Sequence, residues 1–133
     1  MSQANLDVVR AVYEDWIRGD YAAVFALFDP DIEWIPPPDV SSSGQRRGHE
    51  GVRRSMAGWM GNWDDYRFEL RRLIDCGDDV LAEGWQRARG RASGVELENQ
   101  PATWLYEIKG GKAVRKRTFT DRSATLEAAG VTE

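Results

Sequence analysis

One cysteine, Cys76, and one histidine, His49, are all that the 133 residues contain of either type. An internal disulfide needs a second cysteine and is excluded. A metal site would have to combine His49 with carboxylates, and no ligand spacing supports one, so no metal is expected. No apolar run approaches the ~20 residues of a membrane span. The opening "MSQANLDVVR" lacks the basic and apolar regions of a secretory signal. There is no repeat, no low-complexity tract and no linker. The net charge is −4 and the arginines are scattered, which gives no reason to expect a nucleic-acid partner. These absences predict a cytoplasmic chain that forms a single domain, 1–133, without cofactor or membrane. A chain of this length can bury roughly two-thirds of its unfolded surface. What the chain does have is tryptophan, at positions 16, 34, 59, 63, 85 and 104. Indoles fill cores, and they also line pockets for flat apolar ligands.

Leu6, Val9, Tyr13, Trp16 and Ile17 recur at helical spacing from Asn5 to Arg18. Gly19 ends that helix and Asp20 can cap the next, "YAAVFALF". "DPDIEWIPPP" reads as a strand stopped by three prolines, and "DVSSSGQRR" as a loop. "GHEGVRRSMAGWMGNW" returns to helical spacing, with Val52, Met56, Trp59, Met60 and Trp63 on one face, and Asp64-Asp65 breaks it. From Tyr66 the period changes to two. "YRFELRRLID", "VLAEGWQRARGRASG", "VELENQPATWLYEI" and "AVRKRTFT" predict four strands joined by the turns "CGDD" and "KGGK", with Gly84 and Gly90 marking bulges or close approaches. "DRSATLEAAG" closes the chain as a short helix. The order predicts an α+β fold: a curved antiparallel sheet wrapped around three helices, a cone with an internal pocket.

Element order and the phrases "WIRGDYAAVFALFDPDIEW", "RRGHEGVRRSM", "RGRASGVELE" and "RTFTDRSATLEAAG" resemble the nuclear transport factor 2-like superfamily, in its SnoaL-like branch. The resemblance implies a cystatin-like barrel, a homodimer, and relatives that include polyketide cyclases, ketosteroid isomerases, epoxide hydrolases and pure binding proteins. Their catalytic sets do not carry over. The isomerase base position resembles Ile35, its tyrosine position Val12 with Tyr13 one step away, and its protonated acid Trp104. The cyclase histidine position also falls on Trp104, and the aspartate of cyclases and epoxide hydrolases falls near Thr118.

The same resemblance directs Glu33 and Ile35 inward on the first strand. It directs Leu81, Glu83, Trp85, Arg87 and Arg89 inward on the long second strand of the series. On the last strand it directs Lys116, Thr118 and Thr120 inward, or Arg117, Phe119 and Asp121 if a bulge intervenes. The candidate acid/base residues are Glu83, Glu33 and His49. Tyr13, Trp34, Trp63, Trp85, Arg87, Trp104, Thr118 and Asp121 are the candidate ligand-binding residues. Each has a second reading. Glu33 can pair with an arginine at the sheet rim, Glu83 with Arg87, His49 can cap or pack at its helix start, and Asp121 can cap the last helix. Two functional readings follow. One is a cofactor-independent isomerase, cyclase or hydrolase that moves a proton on a small flat apolar metabolite. The other is a non-catalytic ligand-binding or dimeric interaction protein. The homodimer expectation rests on Phe68, Leu70, Leu105 and Phe119, which cannot all be covered by helices on a single face.

Overall fold

A computed structural model describes residues 3–35, 46–61, 63–77, 79–90, 94, 96–118 and 122–130, with backbone alone for 58–60, 63, 65, 96–101 and 122. Val9, Val12 and Tyr13 place three buried side chains on one stripe of helix α1 (Gln3–Arg18). Gly19, at φ 83, ends it. Asp20 then caps α2 (Tyr21–Ala26) by accepting a hydrogen bond from the Ala23 amide at 3.2 Å. Strand β1 (Phe28–Ile35) follows, then β2 (Arg46–Arg47) and α3 (Gly48–Met60). Four strands come next: β3 (Trp63–Cys76), β4 (Asp79–Gly90), β5 (Glu96–Lys109) and β6 (Lys112–Thr118). Helix α4 (Arg122–Ala129) closes the series.

Three boundaries differ from the sequence reading. The second helix, read through Phe28, ends at Ala26, and Phe28 opens β1. The arginine pair assigned to a loop forms β2, in antiparallel register with Glu33 and Trp34 of β1. Trp63, assigned to the face of α3, instead opens β3 opposite Gly90. The aspartates after it lie inside the strand, because a long partner strand supplies ladder bonds that override their poor strand propensity. The three prolines and residues 39–45 lie outside the described residues.

The six strands form one curved, unclosed sheet in the order β2-β1-β6-β5-β4-β3. Every neighbouring pair is antiparallel except β1 and β6, which run parallel. Gly110 and Gly111, at φ 59 and 79, make the two-residue hairpin between β5 and β6, where both central residues need positive φ. Gly84 answers to a different need. A Cβ there would collide with the Glu69 carbonyl and the Phe68 ring, beside the bulge between Leu70 and Arg72.

Helices pack on both faces of the sheet. Its concave face carries Ile32, Phe68, Val80, Ala82, Ala102 and Tyr106, packed under α1, α2 and α3 through Val9, Val12, Tyr13, Val24, Phe25, Val52 and Met56. Its convex face carries Leu81 and Leu105, which alternate with that set and pack against Leu126 of α4. Three helices thus cover one face and the fourth covers part of the other. Phe68 and Leu70 belong to the concave core and Leu105 to the α4 cluster, so these residues of the dimer argument are covered within the chain. Phe119 lies outside the described residues.

Candidate functional site

The register across β1, β6 and β5 builds the site. Trp34 pairs with Lys116, and Lys116 pairs with Tyr106. Cross-strand partners share a face, so all three side chains project from the concave side, as Ile32 does. One row further, Thr118 pairs with Trp104 on the same face. The helix stripe of α1 lowers Tyr13 onto this row.

The result is an aromatic cluster around one amine. Lys116 Nζ lies 3.9 Å from the centroid of the Trp34 ring and 4.9 Å from that of Trp104. Trp104 stacks on Tyr13 at 5.9 Å, and Tyr13 stacks on Phe68 at 4.9 Å. The Tyr13 and Tyr106 hydroxyls share a 2.6 Å hydrogen bond in which either can donate. Trp34 Nε1 is a buried donor with no hydrogen-bond partner among the described residues. Such a donor forfeits on the order of 1–3 kcal/mol, which an acceptor atom would recover.

The electrostatics follow from burial. Removal from water pulls the Lys116 ammonium down to about 7. The two indole faces act the other way, since they favour the charged form. The amine is therefore poised to exist in both states near neutral pH. Burial raises both phenols, Tyr13 most, and the Tyr106 hydroxyl beside Tyr13 raises it further. Both hydroxyls stay protonated and can act as hydrogen-bond donors. Residue choice on β6 reinforces the point. The chain uses 15 arginines and three lysines, and in "VRKRT" the arginines at 115 and 117 flank a lysine at the concave position. An arginine could not release its proton there, whereas a lysine can.

The candidates read from sequence divide by face. Tyr13, Trp34, Trp104 and Thr118 come together on the concave side. Glu33 does not. It pairs with Arg115 at 3.3 Å, and Arg115 also holds Glu107 at 3.0 Å, so the three form a row on the convex side. The inward expectation for Glu33 is corrected, because Ile32 and Trp34 take the concave positions of β1. Glu83, Trp85 and Arg87 are corrected with it. Val80, Ala82 and Gly84 face the helices, which turns the odd-numbered residues of β4 outward. Glu83 stands across the register from Arg72, Arg87 from Arg67, and Trp85 from Glu69. The Trp85 ring meets the Arg71 guanidinium at 5.9 Å. His49 binds the Phe28 carbonyl through Nε2 at 3.0 Å, and its ring packs on Phe25 at 5.4 Å. A carbonyl only accepts, so Nε2 carries the proton, and the bond ties α3 to β1. Asp121 and the Trp63 side chain lie outside the described residues. Tyr106 escaped the sequence reading, and Lys116 was one of two inward alternatives on the last strand and was given no role. The alternation of Arg115, Lys116 and Arg117 was the available signal.

Comparison with known proteins bears directly on this arrangement. The family model for the SnoaL-like domain matches residues 9–116, a span that includes both Tyr13 and Lys116. The chain belongs to the SnoaL-like domain family. A protein of Mycobacterium tuberculosis, itself uncharacterised, is 26% identical over 125 residues, covering 94% of this chain and 95% of that one. The crystal structure of an NTF2-like protein from Burkholderia thailandensis is similar with a TM-score of 0.78 and 28% identity, over 99% of this chain and 100% of that one. TerC, co-crystallised with polyporic acid, is similar with a TM-score of 0.73 and 22% identity, over 96% of this chain and 99% of that one. At that identity TerC speaks for the fold alone. The SnoaL-like fold hosts unrelated reactions, so function has to be argued from the residues around Lys116.

Proposed function

We propose that this SnoaL-like protein binds a small, flat, largely apolar molecule bearing an oxygen against the concave aromatic cluster, and acts on it by proton transfer without a cofactor. One observation carries the reading: the Lys116 amine held between the indoles of Trp34 and Trp104, across the register from the hydrogen-bonded Tyr13–Tyr106 pair. Aromatic faces suit a flat apolar body, and a few convergent polar groups fix its orientation. Lys116 supplies a base of suitable strength at neutral pH, and the phenol pair with Trp34 Nε1 supplies donors for a developing oxyanion. The chemistry fits an isomerase, a cyclase or a hydrolase.

A second reading has its own observation. The cluster of Tyr13, Trp34, Phe68, Trp104, Tyr106 and Lys116 contains no carboxylate. The positions at which isomerases and cyclases of the superfamily carry their acidic or histidine groups hold Ile35 and Trp104. A protein that only sequesters its ligand needs no more than this cluster. Titrating a panel of aromatic ketones and hydroxylated polycycles while following tryptophan emission and product formation separates the two. Quenching with turnover that Lys116→Met abolishes supports the enzyme. Quenching without turnover supports the binding protein. No response from any member of the panel rejects both.

A further inference from the structure

We infer that Lys116 captures carbonyl compounds covalently, forming an imine with the aldehyde or ketone group of a flat molecule held against Trp34 and Trp104. The inference rests on the reading of the concave cluster as the ligand site and adds a substrate class to it. Proton transfer alone asks only for a base. The position of this particular base offers more.

An amine becomes a nucleophile when it is neutral, sheltered from water and not tied up in a hydrogen bond. Lys116 meets each condition. Its ammonium makes no hydrogen bond or ion pair among the described residues, and its contacts are the two ring faces at 3.9 and 4.9 Å. Those contacts constrain the direction of the Nζ lone pair without consuming it. The residue as a whole is half-buried rather than sealed in the core. Burial brings its pKa to about 7, so a large share of the amine is neutral at physiological pH. Ordinary lysine, at ~10.4, is neutral in roughly one molecule per few thousand at that pH.

The rest of the cluster fits the steps. The Nζ lone pair attacks the carbonyl carbon and the C=O π pair moves to oxygen. That oxygen takes up protons, and the Tyr13–Tyr106 pair on the neighbouring strand and helix offers a donor at this stage. The second step expels the oxygen as water, with both amine hydrogens leaving in it. A C=N bond replaces C=O. No oxidant or reductant is consumed, and water reverses the reaction. Trp34 Nε1, buried and unpartnered among the described residues, provides a donor for the carbonyl oxygen before attack.

The small number of lysines makes the test clean. The chain has only Lys109, Lys112 and Lys116, and the first two are exposed at the β5–β6 hairpin. Wild-type protein is incubated with 2-naphthaldehyde and sodium cyanoborohydride at neutral pH, and the reduced adduct is located by peptide mass spectrometry. The inference expects one adduct, on Lys116, formed at least about tenfold faster than at Lys109 or Lys112. Its rate should climb as pH rises through about 7. Lys116→Met, with its fold checked by circular dichroism, should lose that adduct and keep only the slow background. Adducts confined to Lys109, Lys112 and the α-amine would overturn the inference. Tryptophan emission recorded with 2-naphthaldehyde alone tells the two claims apart. Quenching without a Lys116 adduct sinks the imine and leaves the binding reading standing, whereas neither quenching nor adduct sinks both.

Discussion

Lys116 Nζ stands 3.9 Å from the centre of the Trp34 indole, because β6 and β1 run parallel in a register that sets these two residues side by side. The pairing places a cation on an aromatic face inside the concave side of the sheet. A cation there carries a cost that depends on pH. The folded-state value, about 7, lies below the ordinary lysine value of 10.5. Between those limits the unfolded chain binds the extra proton, so stability rises with pH across that window. Below pH 7 both states are protonated and the full penalty is present. Lys116→Met should therefore stabilise the protein at pH 6 by roughly 2–4 kcal/mol more than at pH 10, a span kept below the full linkage value because part of the side chain meets solvent. Urea unfolding of both proteins at the two pH values measures it. An equal effect at both would show that the amine titrates normally.

The Tyr13–Tyr106 bond is buried at both ends. Tyr13→Phe leaves the Tyr106 hydroxyl without its partner and should cost about 1–3 kcal/mol. Removing both hydroxyls should cost less than the sum of the two single changes, since the double variant strands no polar group. A double-mutant cycle by denaturant unfolding tests this, and simple additivity would count against the bond.

Gly84→Ala should destabilise by roughly 1–3 kcal/mol or more, because the added methyl meets the Glu69 carbonyl and the Phe68 ring. Phe68 stacks on Tyr13, so the damage should reach the site as a change in tryptophan emission. A variant with wild-type melting would show that the sheet relaxes freely at this bulge.

Much of this architecture was legible in the sequence. Helical spacing set α1, Asp20 announced the cap of α2, and the Gly110-Gly111 pair marked the hairpin. The strand faces were the hard part. A one-residue slip sends every side chain to the other side. In β4 the run Val80-Leu81-Ala82 is buried throughout, because α4 covers Leu81 while the helices cover its neighbours. Where both faces are covered, apolar alternation disappears, and the acidic and aromatic residues that follow cannot be assigned from it. β1 failed similarly, since Ile32, Trp34 and Ile35 surround Glu33 and leave no polar–apolar rhythm. On β6 the resemblance had left two inward sets open, Lys116 with Thr118 or Arg117 beyond a bulge, and the register with Tyr106 and Trp34 selects Lys116.

Glu33 provides a contrast with Lys116. Its side chain is 21% exposed and pairs with an Arg115 that is 41% exposed. Solvent screening at such a pair limits its contribution to about 1 kcal/mol or less. Glu33→Gln should accordingly shift stability by no more than that and leave ligand-induced tryptophan quenching unchanged. Glu83→Gln should also spare the quenching, since β4 turns that residue to the convex face. Loss of quenching in either variant would return a carboxylate to the site.

The state of the Lys116 amine is the point on which the account turns, and it can be observed directly. With only three lysines in the chain, ¹³Cε-labelled lysine gives three resolvable NMR signals to follow from pH 5 to 11. The account predicts that one signal, missing in Lys116→Met, titrates with a midpoint near about 7. Three signals titrating together near the ordinary ~10.4 would contradict it.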